Sequence, residues 1–284
     1  MPAARRTSST TRLLTGGRAL ADLVLPQVCA GCAVPGAVLC SRCRDRLARP
    51  RLAEPRRHPP GFPPTVAAGA YTGPVRPAVL AFKEHGRSEL AGPLGRALAL
   101  AVVGVLAGLP GAGPAPAGPG SSPVVLVPVP SSAAALRSRG RDHVRELAAG
   151  AVRELRAAGV PARTVPVLGR SGRTRDSAGL DAAERRANLA GRFRALPSLA
   201  QLPRGSRLVL VDDVVTSGAT LSEAARALTV PRSRRADGDG ERGSADSPGV
   251  DRDTPVLAAV VAATPRRVFR PRSASPPGAF TVRC

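Results

Sequence analysis

Short apolar runs rich in valine, leucine and alanine alternate along the chain with longer stretches in which apolar residues recur every three or four positions. The runs have the length of strands buried on both faces of a sheet, and the stretches have the spacing of amphipathic helices. The predicted strands are 66–71, 124–129, 165–168, 208–211 and 256–262, and the predicted helices are 75–82, 90–106, 144–155, 182–193 and 221–228. This alternation predicts an α/β fold with a parallel sheet and crossover helices.

The segment 208–221 places the most chemistry in one stretch. Its strand is predicted to end at Asp212 and Asp213, and the loop that follows contains Thr216, Ser217, Gly218, Ala219 and Thr220. Backbone N–H groups of a glycine-containing turn at a helix N-terminus, together with hydroxyl groups, can bind a phosphate. Two carboxylates beside that turn can hold the vicinal hydroxyls of a ribose, directly or through Mg²⁺. The segment therefore predicts a site for a ribose 5-phosphate.

A purely structural interpretation of the same residues is the alternative. Thr220 and Glu223 fit the S/T-x-x-E capping box at the start of a helix, and two aspartates at a strand end can belong to an ordinary turn. The capping box accounts for Thr220 alone. It leaves the acidic pair and the spacing of Thr216 and Gly218 unexplained.

Four cysteines form two Cys-x-x-Cys pairs separated by seven residues, namely Cys29, Cys32, Cys40 and Cys43. Each pair can present two thiolates to one metal, so the four predict a tetrahedral structural zinc site that folds a segment too small to fold alone. Disulfides and a redox-active pair are the alternatives, and a redox pair requires only two of the cysteines. Cys284 is assigned no function.

At residues 208–221 the chain resembles the 5-phosphoribosyl 1-pyrophosphate (PRPP) loop of type I phosphoribosyltransferases. Together with the cysteine pairs, the turn Pro128-Val129-Pro130-Ser131 and the pattern of Arg185, Asn188 and Phe193, it resembles the ComF family, in which a zinc module precedes a phosphoribosyltransferase domain. The resemblance implies a type I phosphoribosyltransferase fold and transfer of a phosphoribosyl group from Mg-PRPP to a nitrogen acceptor. Asp212 and Asp213 would be the catalytic residues, and 216–220 would bind the 5-phosphate.

Further residues are candidates for binding pyrophosphate or another anion: Lys83, Ser131, Arg137, Arg139, Arg173 and Arg175. The resemblance implies this role for Lys83, which lies between two predicted helices, and for the turn at Ser131. A solvated lysine is the alternative for Lys83. Guanidinium groups bind phosphoryl oxygens in pairs, so the arginine-rich stretch 170–175 is typical of a mobile cover over pyrophosphate.

The chain departs from the ComF pattern at two places. Where such chains read Arg-Gly-Phe-Asn, this one reads Arg139-Gly140-Arg141-Asp142, and the usual glutamine near the arginine-rich stretch is Asp176. The contact made by the replaced aromatic residue is therefore not predicted.

Composition shifts predict the domain organisation. Residues 1–18 are a predicted disordered extension, 19–50 the zinc module, 51–64 a proline- and arginine-rich linker, 65–265 the phosphoribosyltransferase-like domain and 266–284 a disordered tail. Within the domain, 107–123 and 231–255 are predicted flexible insertions because they are rich in glycine and proline or in charged residues.

The formal net charge of +22 resides almost wholly in arginine, since Lys83 is the only lysine. Such basicity favours anionic partners such as phosphates or nucleic acid. The resemblance to the ComF family, which is associated with DNA uptake, implies an alternative function: a non-catalytic adaptor that binds single-stranded DNA or a helicase-like partner. A GC-rich coding sequence explains the arginines equally well, because no aromatic residues are interleaved with them. The apolar run 98–109 is shorter than the roughly 18 residues that span a bilayer, so a cytoplasmic protein without a membrane partner is predicted.

Overall fold

The computed structural model describes residues 27–55, 59–108, 123–170, 191–229 and 255–265 of the 284-residue chain. Within these ranges the helices are α1 (Ser41–Arg46), α2 (Val75–Lys83), α3 (Ala91–Ala107), α4 (Ala133–Arg139), α5 (His143–Ala157) and α6 (Ala219–Thr229). The strands are β1 (Arg51–Leu52), β2 (Thr65–Ala70), β3 (Val124–Pro128), β4 (Ala162–Thr164), β5 (Leu168–Arg170), β6 (Phe193–Ala195), β7 (Arg207–Val215) and β8 (Leu257–Ala263). The predicted α/β class is confirmed.

Six of these strands form one sheet in the order β1-β2-β8-β7-β3-β4. β1 is antiparallel to β2, and every other neighbouring pair is parallel. After β3 the chain continues to its neighbour β4, towards one edge of the sheet, and after β7 it continues to β8, towards the opposite edge. The connections therefore diverge between β3 and β7. Open α/β sheets bind ligands outside the carboxyl ends of their strands at such a point.

Helices cover both faces of the sheet, and the residues of β7 contribute alternately to the cores on the two faces. Val209 and Val211 lie in the first core, which β7 forms with α2, α3 and α5. Leu208 and Leu210 lie in the second core, which contains α6 and the antiparallel β5–β6 pair. Successive strand residues face opposite sides, so a strand covered on both faces is apolar at every position.

Helices α3 and α5 touch at two glycines. A Cβ atom added to Gly95 would lie 2.8 Å from the Cα atom of Gly150, so the two backbones are in direct contact. Together with the preceding 3₁₀ turn, α3 covers Ser88–Ala107 and is long and apolar enough to cross a membrane, unlike the predicted run 98–109. Within its most apolar window 56% of the helix is buried inside the protein. Such burial is typical of the core helix of a globular domain.

The cysteine-bearing segment shares the first core with the sheet. Cys43 of α1 and Leu47 after it are buried there beside α2 and α3. A Cβ atom on Gly31 would lie 2.8 Å from the carbonyl oxygen of Pro74, at the start of α2. Arg87 Nη1 also donates a hydrogen bond to the carbonyl of Val28 (3.0 Å). The described part of the predicted zinc module is therefore packed directly onto the α/β domain, and the predicted linker contributes the edge strand β1.

Two predicted elements differ from the structure. The predicted strand 165–168 is interrupted, because Pro166 cannot donate to a strand and the Val167 N–H turns back to the Val165 carbonyl (3.0 Å). Residues 165–167 form a break after β4, and Leu168 begins β5. Phe193, predicted at the end of the helix 182–193, is buried in β6. Residues 182–190 of that predicted helix, the extension 1–18 and the tail 266–284 lie outside the described residues, as do nearly all of the insertions 107–123 and 231–255.

Candidate functional site

Strand β7 extends past the end of its neighbour β3. Pro128, the last residue of β3, pairs with Val211, whereas β7 continues beside β8 as far as Val215. Asp212 and Asp213 therefore lie inside the strand, not after it as predicted. The N–H of Asp213 donates to Asp212 Oδ1 (2.8 Å), so a carboxylate takes the place of a strand neighbour here. The acidic pair lies at the carboxyl end of the sheet, beside the point where the connections diverge.

The carboxylate of Asp213 is enclosed by the helices of the first core. Its Oδ2 atom lies 2.8 Å from Lys83 Nζ at the end of α2 and 3.1 Å from His143 Nε2 at the start of α5. Its Oδ1 atom accepts a hydrogen bond from the N–H of Val214 (2.7 Å), and Asp213 is only 3% exposed. Burial alone would raise the pKa of Asp213, but the hydrogen bond with His143 and the charge of Lys83 hold it well below its ordinary value.

Asp212 has the opposite electrostatic character. Burial raises the pKa of Asp212 most, and the negative charge of Asp213 raises it further, to about 8. The positive charge of Lys83 offsets part of this increase. No described N–H or O–H group donates to its Oδ2 atom, although the nearby Asp213 side chain also contributes to the raised pKa. A cation or a hydroxyl donor placed beside Asp212 would stabilise its ionised form.

The loop 216–218 between β7 and α6 has unused backbone donors. Within the described ranges, the N–H groups of Thr216, Ser217 and Gly218 donate no hydrogen bond. The first N–H groups of a helix also lack intrahelical partners, and in α6 those of Thr220 and Leu221 have no partner among the described residues, so they add to this set. Gly218 has φ +77, a left-handed conformation that glycine adopts without strain. The loop therefore presents several N–H groups at the carboxyl end of the strand that carries Asp212.

The predicted capping box of Thr220 and Glu223 does not form. Thr220 lies in the first turn of α6, and the Ser217 hydroxyl approaches the Ala219 N–H at 3.5 Å, so Ser217 has the weak capping role. The Glu223 carboxylate accepts a hydrogen bond from the Gly191 N–H (2.6 Å) and also pairs with Arg226. The capping role predicted for Thr220 is thus not observed, and only Ser217 approaches an N–H group at the start of α6 among the described loop residues.

One side of Gly218 is covered by the residues that were predicted as a linker. A Cβ atom on Gly218 would lie 2.8 Å from two ring carbons of Phe62 and 3.2 Å from Cγ of Pro55. The segment before β2 therefore forms a wall against the loop.

Replacement of Gly218 by alanine is expected to cost about 1 kcal/mol for the left-handed backbone and about 1 to 2 kcal/mol more for contact with the Phe62 ring. Urea unfolding measures the sum. Gly140→Ala is the matched control, since Gly140 has φ +66 and no atom within 4 Å of an added Cβ, so it reports backbone strain alone. Equal losses in the two variants would contradict the close packing of Phe62.

The predicted anion-binding residues have different environments. Arg139 forms a bidentate ion pair with Glu84, with Nε to Oε2 at 3.0 Å and Nη2 to Oε1 at 2.9 Å. Its guanidinium group is therefore already paired. Arg137 is exposed on α4, and Ser131 precedes the residue whose hydroxyl caps that helix. Arg173 and Arg175 lie outside the described residues.

Arg170 at the end of β5 extends towards the carboxyl end of β3. Its Nη1 atom lies 3.5 Å from the carbonyl oxygen of Pro130, and its guanidinium group lies 5.6 Å from the ring centre of Phe193. The buried Nε atom has no hydrogen-bond partner within the described ranges. Burial lowers the pKa of Arg170 most, and the positive charge of Arg192 lowers it further. The negative charge of Asp212 acts in the opposite direction. A negatively charged ligand near Asp212 would therefore also interact favourably with Arg170.

His143, which is 2% exposed and contacts Asp213, was not among the residues predicted from the sequence. A single histidine at the start of a helix has no periodic or motif signal, and only the sheet brings it to the acidic pair. The neighbouring departure at Arg141 is explained by the structure. The Arg141 guanidinium lies 4.3 Å from the ring centre of Phe82, donates to the Phe82 carbonyl (2.9 Å) and pairs with Glu146.

The four-cysteine cluster, formed by Cys29, Cys32, Cys40 and Cys43, has its four Sγ atoms within 4.8 Å of one another. The N–H groups of Gly31 and Cys40 lie 3.4 and 3.3 Å from Cys29 Sγ. Burial alone would raise the pKa of Cys29, but backbone hydrogen bonds, including these two, have the larger combined effect. The net result is a pKa lowered to about 6. The four described cysteines are free thiols, and the 3.6 Å between the sulfurs of Cys32 and Cys40 matches two thiolates on one tetrahedral ion. The cluster could hold a structural metal such as zinc.

The segment around the cluster also carries exposed arginines, namely Arg42, Arg44, Arg46, Arg49 and Arg51. An exposed basic segment is compatible with the predicted binding of single-stranded DNA, but exposure alone is equally typical of a solvated surface. DNA binding therefore stays a prediction.

Comparison of the chain with protein-family models, with curated proteins and with solved structures finds no match.

Proposed function

We propose that the chain binds Mg-PRPP and transfers its phosphoribosyl group, as a ComF-like protein with a type I phosphoribosyltransferase domain. The observation that carries the proposal is the presence, at the carboxyl end of β7, of a loop whose described N–H groups donate no hydrogen bond and of Asp212, a partly exposed carboxylate on the same strand. The loop 216–218 and the positive end of α6 suit a 5-phosphate. Asp212 suits the hydroxyls of the attached ribose.

The sheet order supports the same position. The loop and Asp212 lie at the carboxyl end of β7, and the turn at Ser131 follows β3, on the other side of the point where the connections diverge. A ligand there would lie between two loops that can each contribute donors. The 5-phosphate would bind at the β7 loop, and the pyrophosphate would extend towards the β3 turn.

The donor set fits Mg²⁺. This ion prefers carboxylate and phosphate oxygens, and a positive charge near Asp212 would reduce the cost of ionising it beside Asp213. Asp212 would hold the ion together with oxygens of the substrate. When bound, Mg²⁺ would neutralise part of the charge on the departing pyrophosphate.

The proposed reaction exchanges one bond at C1 of the ribose for another. The C1–oxygen bond breaks and its electron pair leaves with pyrophosphate, while the lone pair of the acceptor nitrogen forms the new bond and that nitrogen then loses a proton. Arg170, whose Nε atom is unused in the described structure, would bind the leaving group. Arg139 would first have to exchange Glu84 for pyrophosphate.

Calorimetric titration with Mg-PRPP tests the binding. The wild-type chain is expected to bind, and Asp212→Asn to weaken the affinity about 30-fold, the effect of losing hydrogen bonds to a charged group. Asp45→Asn, which removes an exposed carboxylate on α1, is the matched control and should leave the affinity unchanged. Undetectable binding by the folded wild type, or equal affinities for the two variants, would contradict the proposal. A screen of nucleobases and amines for pyrophosphate release would then identify the acceptor.

A further inference from the structure

We infer that the two acidic residues of β7 have different tasks, with Asp212 contacting the ligand and Asp213 serving as a positioning residue held by His143 and Lys83. This inference rests on the proposed function, and it assigns to His143 a role that no motif in the sequence indicated. It also corrects the expectation that both carboxylates hold the ribose.

The oxygens of Asp213 are already used inside the protein. Oδ2 has two cationic or potentially cationic neighbours, Lys83 and His143, and Oδ1 accepts the Val214 N–H. With the residue 3% exposed, a ribose hydroxyl would have to displace one of these partners and enter a closed space. Asp212, by contrast, is partly exposed, and no described N–H or O–H group donates to its Oδ2 atom.

The peptide N–H of Asp213 connects the two residues. It donates to Asp212 Oδ1 at 2.8 Å, so the position of the Asp213 backbone fixes the orientation of the Asp212 carboxylate. The Asp213 side chain is fixed in turn from two helices, by Lys83 from α2 and by His143 from α5. Movement of either helix end would therefore be transmitted to the carboxylate that meets the ligand.

The His143 ring is itself held in place. The Phe82 ring meets it edge to face, with centroids 6.3 Å apart and planes at 65°. Arg141 covers the same Phe82 ring and donates to its carbonyl. The buried Nδ1 atom of His143 has no hydrogen-bond partner in the described part of the chain, so the contact with Asp213 is the one polar contact observed for this ring. A ring held in this way is suited to fixing the orientation of the Asp213 carboxylate.

A double-mutant cycle tests the inference, with the dissociation constant for Mg-PRPP and the melting temperature measured for each variant of the full chain. Asp212→Asn should weaken binding about 30-fold and leave the melting temperature unchanged or higher. His143→Leu should weaken binding about tenfold, and His143→Gln, which keeps a donor near the Nε2 position, should restore most of the loss. His85→Leu, which removes an exposed histidine, is the matched control.

The decisive readout is coupling between the two sites. If His143 acts through Asp212, His143→Leu should weaken binding by less than about twofold in the Asp212→Asn background, although it still lowers the melting temperature. Independent, multiplicative losses would overturn the inference, as would full affinity of a folded His143→Leu variant. If His143→Leu does not fold, Lys83→Met takes its place in the cycle. Absence of wild-type binding would refute the proposed function and this inference together, whereas Asp212-dependent binding without coupling would refute only the inference.

Discussion

Removal of the metal from the four-cysteine cluster is expected to unfold the first core, and not the cysteine segment alone. A structural zinc ion contributes roughly 10 kcal/mol of binding free energy to the folded state. Cys29, Cys43 and Leu47 are buried in the core that contains α2 and α3, so loss of the cluster would uncover those helices. Calorimetry after chelation, or of the Cys43→Ser variant, should show a melting temperature lower by more than about 10 °C.

Metal analysis of the purified chain should give one zinc ion per chain. Arg42→Ala is the control, because it changes an exposed residue between the cysteines without removing a ligand. An unchanged melting temperature after complete removal of the metal would show that the cluster does not support the core.

Replacement of Asp213 by asparagine is expected to destabilise the protein by about 3 kcal/mol, because it leaves Lys83 and His143 without their shared anionic partner. The two side chains have nearly the same shape, so the loss reports charge and hydrogen bonding, not a cavity. Guanidinium unfolding at neutral pH measures it. Asp45→Asn, on the exposed face of α1, should change the stability by less than about 0.5 kcal/mol.

The same residue predicts a pH dependence. The pKa of Asp213 is lower in the folded protein than in the unfolded chain, so the unfolded chain binds the proton first as the pH falls. Its contribution is therefore complete above the unfolded value of about 4 and is lost as the pH falls through the folded value. The acid branch of the stability curve should be shallower for Asp213→Asn than for the wild type. Parallel acid branches would contradict the enclosed ion pair.

The hydrophobic pattern predicted the buried strands of the sheet well, but it predicted the positions at which individual strands end poorly. The run 208–211 indicated a buried strand because both faces of β7 are covered. Its continuation through two aspartates could not be predicted, because acidic residues are rare in central strands. It is possible here because the Asp212 carboxylate accepts the N–H that β3 would otherwise bind. The short apolar run 165–168 predicted one continuous strand, but Pro166 interrupts it, and only Leu168 belongs to a strand, as the first residue of β5.

The candidate site was predicted where the signal is local and missed where it depends on tertiary contacts. The loop 216–218 and the four cysteines are contiguous motifs, and the structure brings each set together. Arg139 was predicted to bind an anion, but its partner Glu84 lies at the end of a different helix that only folding brings near. His143 was missed for the same reason.

The sharing of one core by the cysteine segment and the sheet limits how this chain can change. Because Gly31 rests on Pro74 and Leu47 packs among the side chains of α2 and α3, the segment cannot be exchanged as a self-contained cassette. An insertion or deletion between the cysteines would change the packing of α2. The last residue of α2 is Lys83, which forms the ion pair with Asp213. Variation in this small four-cysteine segment is therefore constrained by the contact between Lys83 and Asp213 at the far end of that helix.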